Sequence, residues 1–195
     1  MKKLQAKNVM LPIGKKYFSN RICGFPDLEW PNGVAPHYHD FFECELLLSG
    51  AGSLFINSTE FDIQRGLFYI LEPTDACMYR ADGNAELEIY SLKFTTDMLS
   101  SDVWALLRQQ KKPFAYTCDD KLMDRMQHKL DEINSVVEGT YIPARGRNLS
   151  DRLVKGMIDE IVLTFIANST EGSAVAEAGT YRNKDKIQKV VHWID

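Results

Sequence analysis

The sequence predicts a mainly β domain, an all-β sandwich or small barrel, followed by a helical segment. Three observations carry this. Residues 21–94 break into short apolar runs separated by Gly, Pro and Asn turns. No helical period interrupts those runs, which disfavours a βαβ sheet. After Thr95 the apolar spacing changes to three and four residues, the period of an amphipathic helix.

The runs follow in order. Residues 43–48 form an apolar-rich strand that ends at the turn Ser49-Gly50-Ala51-Gly52. Residues 53–57 and 60–63 pair across the Asn57-Ser58 turn, and Gly66 opens a strand over 67–71 that Pro73-Thr74-Asp75 closes. Residues 77–80 are short, Asp82-Gly83-Asn84 is a strong turn signal, and 86–94 make a longer strand. A weak helix is expected over 97–110, ending before Pro113 because proline lacks an amide donor. Asp119 or Asp120 caps a second helix running to about Glu138, with Leu122, Met126, Leu130, Ile133 and Val137 on one stripe. A third helix covers 149–167, with Leu149, Leu153, Met157, Ile161 and Phe165 along a broad apolar face suited to a two-helix dimer contact. Packing of that face on the strands and the second helix is the alternative. Residues 168–179 (NSTEGSAVAEAG) are small and polar and read as a linker. Residues 183–195 (NKDKIQKVVHWID) restart an amphipathic helix whose apolar face has no following chain to fold against, as expected at the opening of a further domain, and a terminal helix that docks back is the alternative.

Composition bounds the partners. The chain has 195 residues, 45% hydrophobic, with 23 Lys plus Arg against 27 Asp plus Glu, a net charge of −4. That length supports a proper core without staples. A mildly acidic balance with no basic cluster argues against direct nucleic-acid binding by these residues. The four cysteines, Cys23, Cys44, Cys77 and Cys118, form no CxxC pair and read as buried thiols. Neither a signal peptide nor an apolar run long enough to span a bilayer is visible, and the reading is a cytoplasmic protein.

One constellation carries chemistry: His37-Tyr38-His39, then Glu43 and Gly50. Side chains two apart share a strand face, so His37 and His39 point one way, and Glu43 joins them if the strand continues. Two imidazoles and a carboxylate suit Zn, Ni, Fe or Mn. The plainer alternative is a set of groups that hydrogen-bond one another in a partly polar interior.

The stretch PHYHDFFECELLLSGAG (residues 36–52) has the spacing HxH, three residues, Glu, six residues, Gly, which resembles the first motif of the cupin family. More narrowly, residues 36–94 resemble the N-terminal sensor domain of AraC/XylS (arabinose-type) transcription regulators. There a similar histidine strand precedes a strand pair (LFINSTEFDIQRG here) and a strand closed by proline (LFYILEP). The segment KIQKVVHWID resembles the opening helix of that family's DNA-binding domain. The resemblance implies a cupin-like double-stranded β-helix (a jelly-roll barrel) followed by a helical dimerisation segment. It divides the chain into an N-terminal arm (1–20), a barrel sensor (21–95), a helical segment (96–168), a linker (169–182) and the start of a helix-turn-helix domain (183–195).

It further implies a non-enzymatic regulator, homodimeric, that binds a small effector, often a sugar or sugar derivative, and reaches DNA only through a C-terminal domain. The effector-binding residues would be His37, His39, Glu43, Cys77, Tyr79 and Trp30, with Glu45 added if the strand stays regular. Tyr69 and Tyr90 are further aromatic candidates. Two departures stand out. Where metal-binding cupins place another histidine after a proline, this chain has Cys77, and Asp75 stands near the expected loop glycine. No cofactor is required on this reading. A divalent metal (Zn, Ni, Fe or Mn) would be held by His37, His39, Glu43 and Cys77, with Cys77 as thiolate. The alternatives are a metal-dependent cupin enzyme (dioxygenase, isomerase or epimerase) and a simple carbohydrate-binding or assembly module.

Overall fold

The computed structural model describes residues 7–11, 15–23, 33–83, 85–110, 112, 114–140 and 147–169. Among these residues nine strands precede the helices: β1 (Lys7–Val9), β2 (Tyr17–Cys23), β3 (Gly33–His39), β4 (Phe42–Ser49), β5 (Gly52–Ile56), β6 (Thr59–Ile63), β7 (Leu67–Leu71), β8 (Cys77–Ala81) and β9 (Glu88–Phe94). A 3-10 turn (Thr96–Met98), α1 (Ser101–Leu107), β10 (Phe114–Thr117), α2 (Asp120–Val137) and α3 (Arg147–Ser169) follow.

The strands form two five-stranded sheets, ordered β1-β3-β8-β5-β6 and β10-β7-β4-β9-β2. Strand alternation sorts the apolar residues into two layers. Leu47, Tyr69, Leu71 and Ile89 of the second sheet meet Leu54, Ile56, Cys77 and Tyr79 of the first, filling the space between the sheets. The alternate residues of the second sheet, Cys44, Leu46, Phe68, Ile70, Tyr90 and Leu92, face the helices instead. Strand β4 is therefore buried along both faces from Phe42 to Leu48. The result is a cupin-like two-sheet sandwich with helices on one outer face.

Close approach fixes the tight turn after β4. Gly52 sits at φ +150°, and a Cβ there would lie 2.1 Å from the Arg80 carbonyl oxygen across the β5–β8 pair, so only glycine fits. Asp119 caps α2, accepting from the Leu122 amide at 2.7 Å. The buried face of α2 is Met123, Met126, Leu130, Ile133 and Val136, with Leu122 and Val137 packed at its edges.

Several expectations are corrected. The helix expected over 97–110 is a 3-10 turn and the seven-residue α1, because Ser100 is extended (φ −71°, ψ 144°) between them. Strand β10, absent from the sequence reading, adds an edge to β7. The segment read as an N-terminal arm contains β1, which pairs parallel to β3, and the first residues of β2, which pairs with β9. The α3 stripe is largely consumed within the chain. Met157, Ile161 and Phe165 are buried, and the Phe165 ring packs on Phe68, Phe114 and Tyr116 at centroid distances of 5.5, 6.4 and 5.0 Å. Leu153 is half-buried, while Leu149 and Leu163 stay exposed. The expected linker and terminal helix, from residue 170 on, lie outside the described residues. Among the described residues no helix is long and apolar enough to cross a membrane.

Candidate functional site

The interior of the sandwich is polar at one end, and strand register explains why. Glu43 pairs with Leu71 of β7 and Lys93 of β9, and Glu45 pairs with Tyr69 and Ser91. On the facing sheet His37 pairs with Cys77, and Leu54 with Tyr79. These registers bring Glu43, Glu45, Ser91, Lys93, Tyr69, Tyr79, Cys77 and His37 into one compartment. His39, Glu43, Glu45 and Ser91 are buried, and His37 is half-buried.

Glu43 is held from three sides. Ser91 Oγ donates to its Oε1 at 3.1 Å, Lys93 Nζ lies 3.2 Å from the same oxygen, and His39 Nε2 stands 3.4 Å from Oε2. Burial alone would raise the Glu43 carboxyl, but His39 and the Lys93 charge more than offset it and bring it down to about 2. Lys93 is likewise opposed by burial but pushed up on balance by Glu43 and Glu45. Glu45 goes the other way: burial first, then the Glu43 charge, holds its carboxyl well above the usual carboxylate range. The hydroxyls of Tyr69 and Tyr79 both donate to Glu45 Oε2 and touch one another. One carboxylate charged and its neighbour neutral is what a single ammonium can sustain in a buried site.

The sulfur end is compact. Cys77 Sγ lies 3.2 Å from His37 Nε2, and donor atoms of His37, Glu43 and Cys77 all fall within 4.8 Å of one another. Burial, followed by the Glu43 and Glu45 charges, pushes the Cys77 thiol up, so without a cation it is a thiol. His39 departs from its expected place among the donors. Its ring stacks on Phe41 at 4.4 Å, its Nδ1 is 2.6 Å from the Phe41 carbonyl oxygen, and its Nε2 stands beside Glu43 outside the three-donor group.

Of the other sequence candidates, Tyr79 lies in the compartment, and Trp30 lies outside the described residues. Tyr90 faces the helices, its hydroxyl donating to Asp131 of α2. Ser91 and Lys93 were missed. Their signal is the alternation Ile89, Ser91, Lys93, which means something only once β9 is known to lie beside β4. Among the described residues, cavities also line the outside of the sandwich. One of about 480 Å3 is lined by Phe42, Trp104, Arg108 and Lys112 among others. The other, of about 450 Å3, runs along α2 and α3 past Arg125, Glu160 and Leu163.

A two-sheet sandwich with a polar inner end and a helical outer layer defines a cupin-type binding domain. The AraC-like ligand binding domain family matches residues 23–142, more than half the chain, and the protein belongs to that family. No curated protein matches the chain. Among solved structures, an apo ToxT variant from Vibrio cholerae is similar over 92% of this chain and 71% of its own, at 7% identity and a TM-score of 0.50. The AraC-like transcriptional activator CuxR matches 64% of this chain and 42% of its own, at 14% identity and a TM-score of 0.45. A cupin protein from Bacteroides fragilis matches 45% of this chain and 72% of its own, at 17% identity and a TM-score of 0.37. At these identities the likeness is one of fold.

Proposed function

We propose that the chain is the effector-sensing and dimerisation part of a cytoplasmic AraC-type transcription regulator, and that it binds a small polar molecule, a sugar or sugar derivative, without transforming it. The observation that supports this best is the buried polar wall of Glu43, Glu45, Ser91, Lys93, Tyr69 and Tyr79. A purely structural core has little use for two carboxylates and an ammonium, because burying charge is costly unless it is paired. Hydroxyl-rich ligands need directed donors and acceptors of this kind. Half-buried His37 marks the end where the wall meets the surface, and the effector enters there. His39, Cys77 and Trp30 remain in the proposed ligand set.

Homodimerisation uses what α3 leaves uncovered, Leu149 and Leu163 on its outer side. DNA contact falls to a C-terminal helix-turn-helix domain, whose affinity the effector biases by binding its two states unequally. A thermal-shift screen of sugars and small acids tests the reading. A specific sugar should raise the melting temperature, and the double variant His37→Ala, Glu43→Ala should lose that response while still melting cooperatively. An unchanged response in the double variant places the effector elsewhere. Turnover of a sugar by the purified chain overturns the reading in favour of an enzyme.

A further inference from the structure

We propose that Asn20 of strand β2 is a specificity-determining contact of the effector site, accepting a hydrogen bond from one hydroxyl of a neutral sugar. The inference rests on the sensor reading above, and it adds the edge strand β2 to the wall formed by β4, β7, β8 and β9.

Register places the residue. Strand β2 is the edge of its sheet and pairs antiparallel with β9. Residues directly opposite one another across an antiparallel pair project to the same face. Asn20 lies opposite Ser91, Ser91 opposite Glu45, and Glu45 opposite Tyr69, so one row crosses four strands on the inner face. The next row on that face is Phe18, Lys93, Glu43 and Leu71. Asn20 ends a row whose other three members are buried, and it is itself half-buried.

Hydrogen bonding singles it out within that row. Ser91 Oγ is spent on Glu43, and the Tyr69 and Tyr79 hydroxyls are spent on Glu45. Asn20 Oδ1 is buried and has no hydrogen-bond partner. A buried acceptor left without a donor is costly, and folded proteins keep few of them. A carboxamide oxygen carries neither a proton nor a net charge, so the group it takes is a hydroxyl or an N–H. Ser19 Oγ is orphaned as well, but it lies opposite Leu92, in the layer that faces the helices. Of the two, Asn20 is the one on the side of the polar compartment.

Charge and shape narrow the class of ligand. The Lys93 ammonium lies 3.2 Å from Glu43 Oε1 and is balanced by it, so these two rows offer an acid no unspent cation. Phe18, two residues from Asn20 on the same face, supplies a ring against which the C–H face of a sugar can lie.

The test measures thermal shift and Kd for D-glucose, D-galactose, D-xylose and L-arabinose, with D-glucuronate as the acidic arm, on the parent chain and on Asn20→Leu. Without sugar, Asn20→Leu should melt at or above the parent, because an unpaired buried acceptor is gone. With the neutral sugar that the parent binds best, its Kd should rise roughly three- to tenfold, the loss of one neutral hydrogen bond. Monodeoxy analogues of that sugar identify the hydroxyl. The parent should lose a similar factor with one analogue, and Asn20→Leu should not distinguish that analogue from the sugar. Ser19→Ala should bind as the parent does. Asn20→Ala repeats the binding measurement should leucine prove too bulky. An unchanged Kd in both Asn20 variants, or tighter binding of glucuronate than of the neutral sugars, overturns the proposal and leaves the sensor reading standing. Sugar-free melting of both variants well below the parent assigns Asn20 a structural role and overturns it too. A parent chain silent toward all four sugars fails the sugar reading itself, and the proposal with it.

Discussion

Removing the Phe165 ring separates two accounts of α3. Its side chain is fully buried and meets three aromatic rings, Phe68 of β7 and Phe114 and Tyr116 of β10. Truncating a buried Phe to Ala costs about 3–5 kcal/mol, the upper part applying where surrounding rings cannot collapse into the gap. With the three rings held by two paired strands, Phe165→Ala should cost about 4 kcal/mol. For a chain of this size that lowers the melting temperature by roughly 8–16 °C. Urea unfolding followed by circular dichroism reads the change as a lower midpoint at unchanged slope. Leu163→Ser, on the exposed side of the same helix, should stay within about 0.5 kcal/mol of the parent under dilute conditions. The reasoning is refuted if Phe165→Ala moves stability by less than about 1 kcal/mol while halving the molecular mass in light scattering. That pair of results would mean the stripe faces a second copy.

Two further outcomes follow from local structure. Thr74, at φ +77°, is a β-branched residue in the left-handed region, pinned by its backbone N–H, which donates to the His39 carbonyl oxygen at 2.8 Å. Thr74→Gly should remove that strain and, after the entropy cost of glycine, stabilise by roughly 0.5–1 kcal/mol in denaturant unfolding; a loss of stability would contradict it. Alkaline pH should destabilise the chain. Burial and then the Asp119 charge, against a Tyr116 hydrogen bond, leave the Cys118 thiol pushed up to about 11, and burial raises Cys44 and Tyr116 as well. The unfolded chain therefore releases these protons first, binds fewer than the folded state, and stability falls as pH climbs from about 9 to 11. A flat unfolding midpoint across that window would show these groups are not sheltered.

The sequence made some of this legible for identifiable reasons. Strand β7 runs over the expected residues because Gly66 and Pro73 bracket it. The HxH–Glu spacing marks the polar end, but not through alternation along one strand: β3 ends at His39, and Glu43 reaches the same compartment from β4 in the facing sheet. Strand β10 escaped notice since four residues, with Phe114 and Tyr116 inward, carry too little period. The break after Met98 is decided at long range: Asp159 of α3 accepts from both the Ser100 amide, at 2.9 Å, and its hydroxyl, at 2.5 Å. For α3, periodicity shows that Met157, Ile161 and Phe165 need cover, but it says nothing about whether that cover comes from the same chain. His39 illustrates a related gap. Its side of the strand was readable, and its turn toward the Phe41 carbonyl was not.

Strand β4 is a partition wall with no plaster between its two sides. Odd-numbered residues Glu43, Glu45 and Leu47 furnish one room, and even-numbered Cys44, Leu46 and Leu48 furnish the other. The backbone that carries each carboxylate on one side also seats its neighbour, Cys44 or Leu46, in the cluster shared with the helices. An effector gripping Glu43 or Glu45 would therefore bear on the helices through a single pleat, and no hinge is needed between the two rooms.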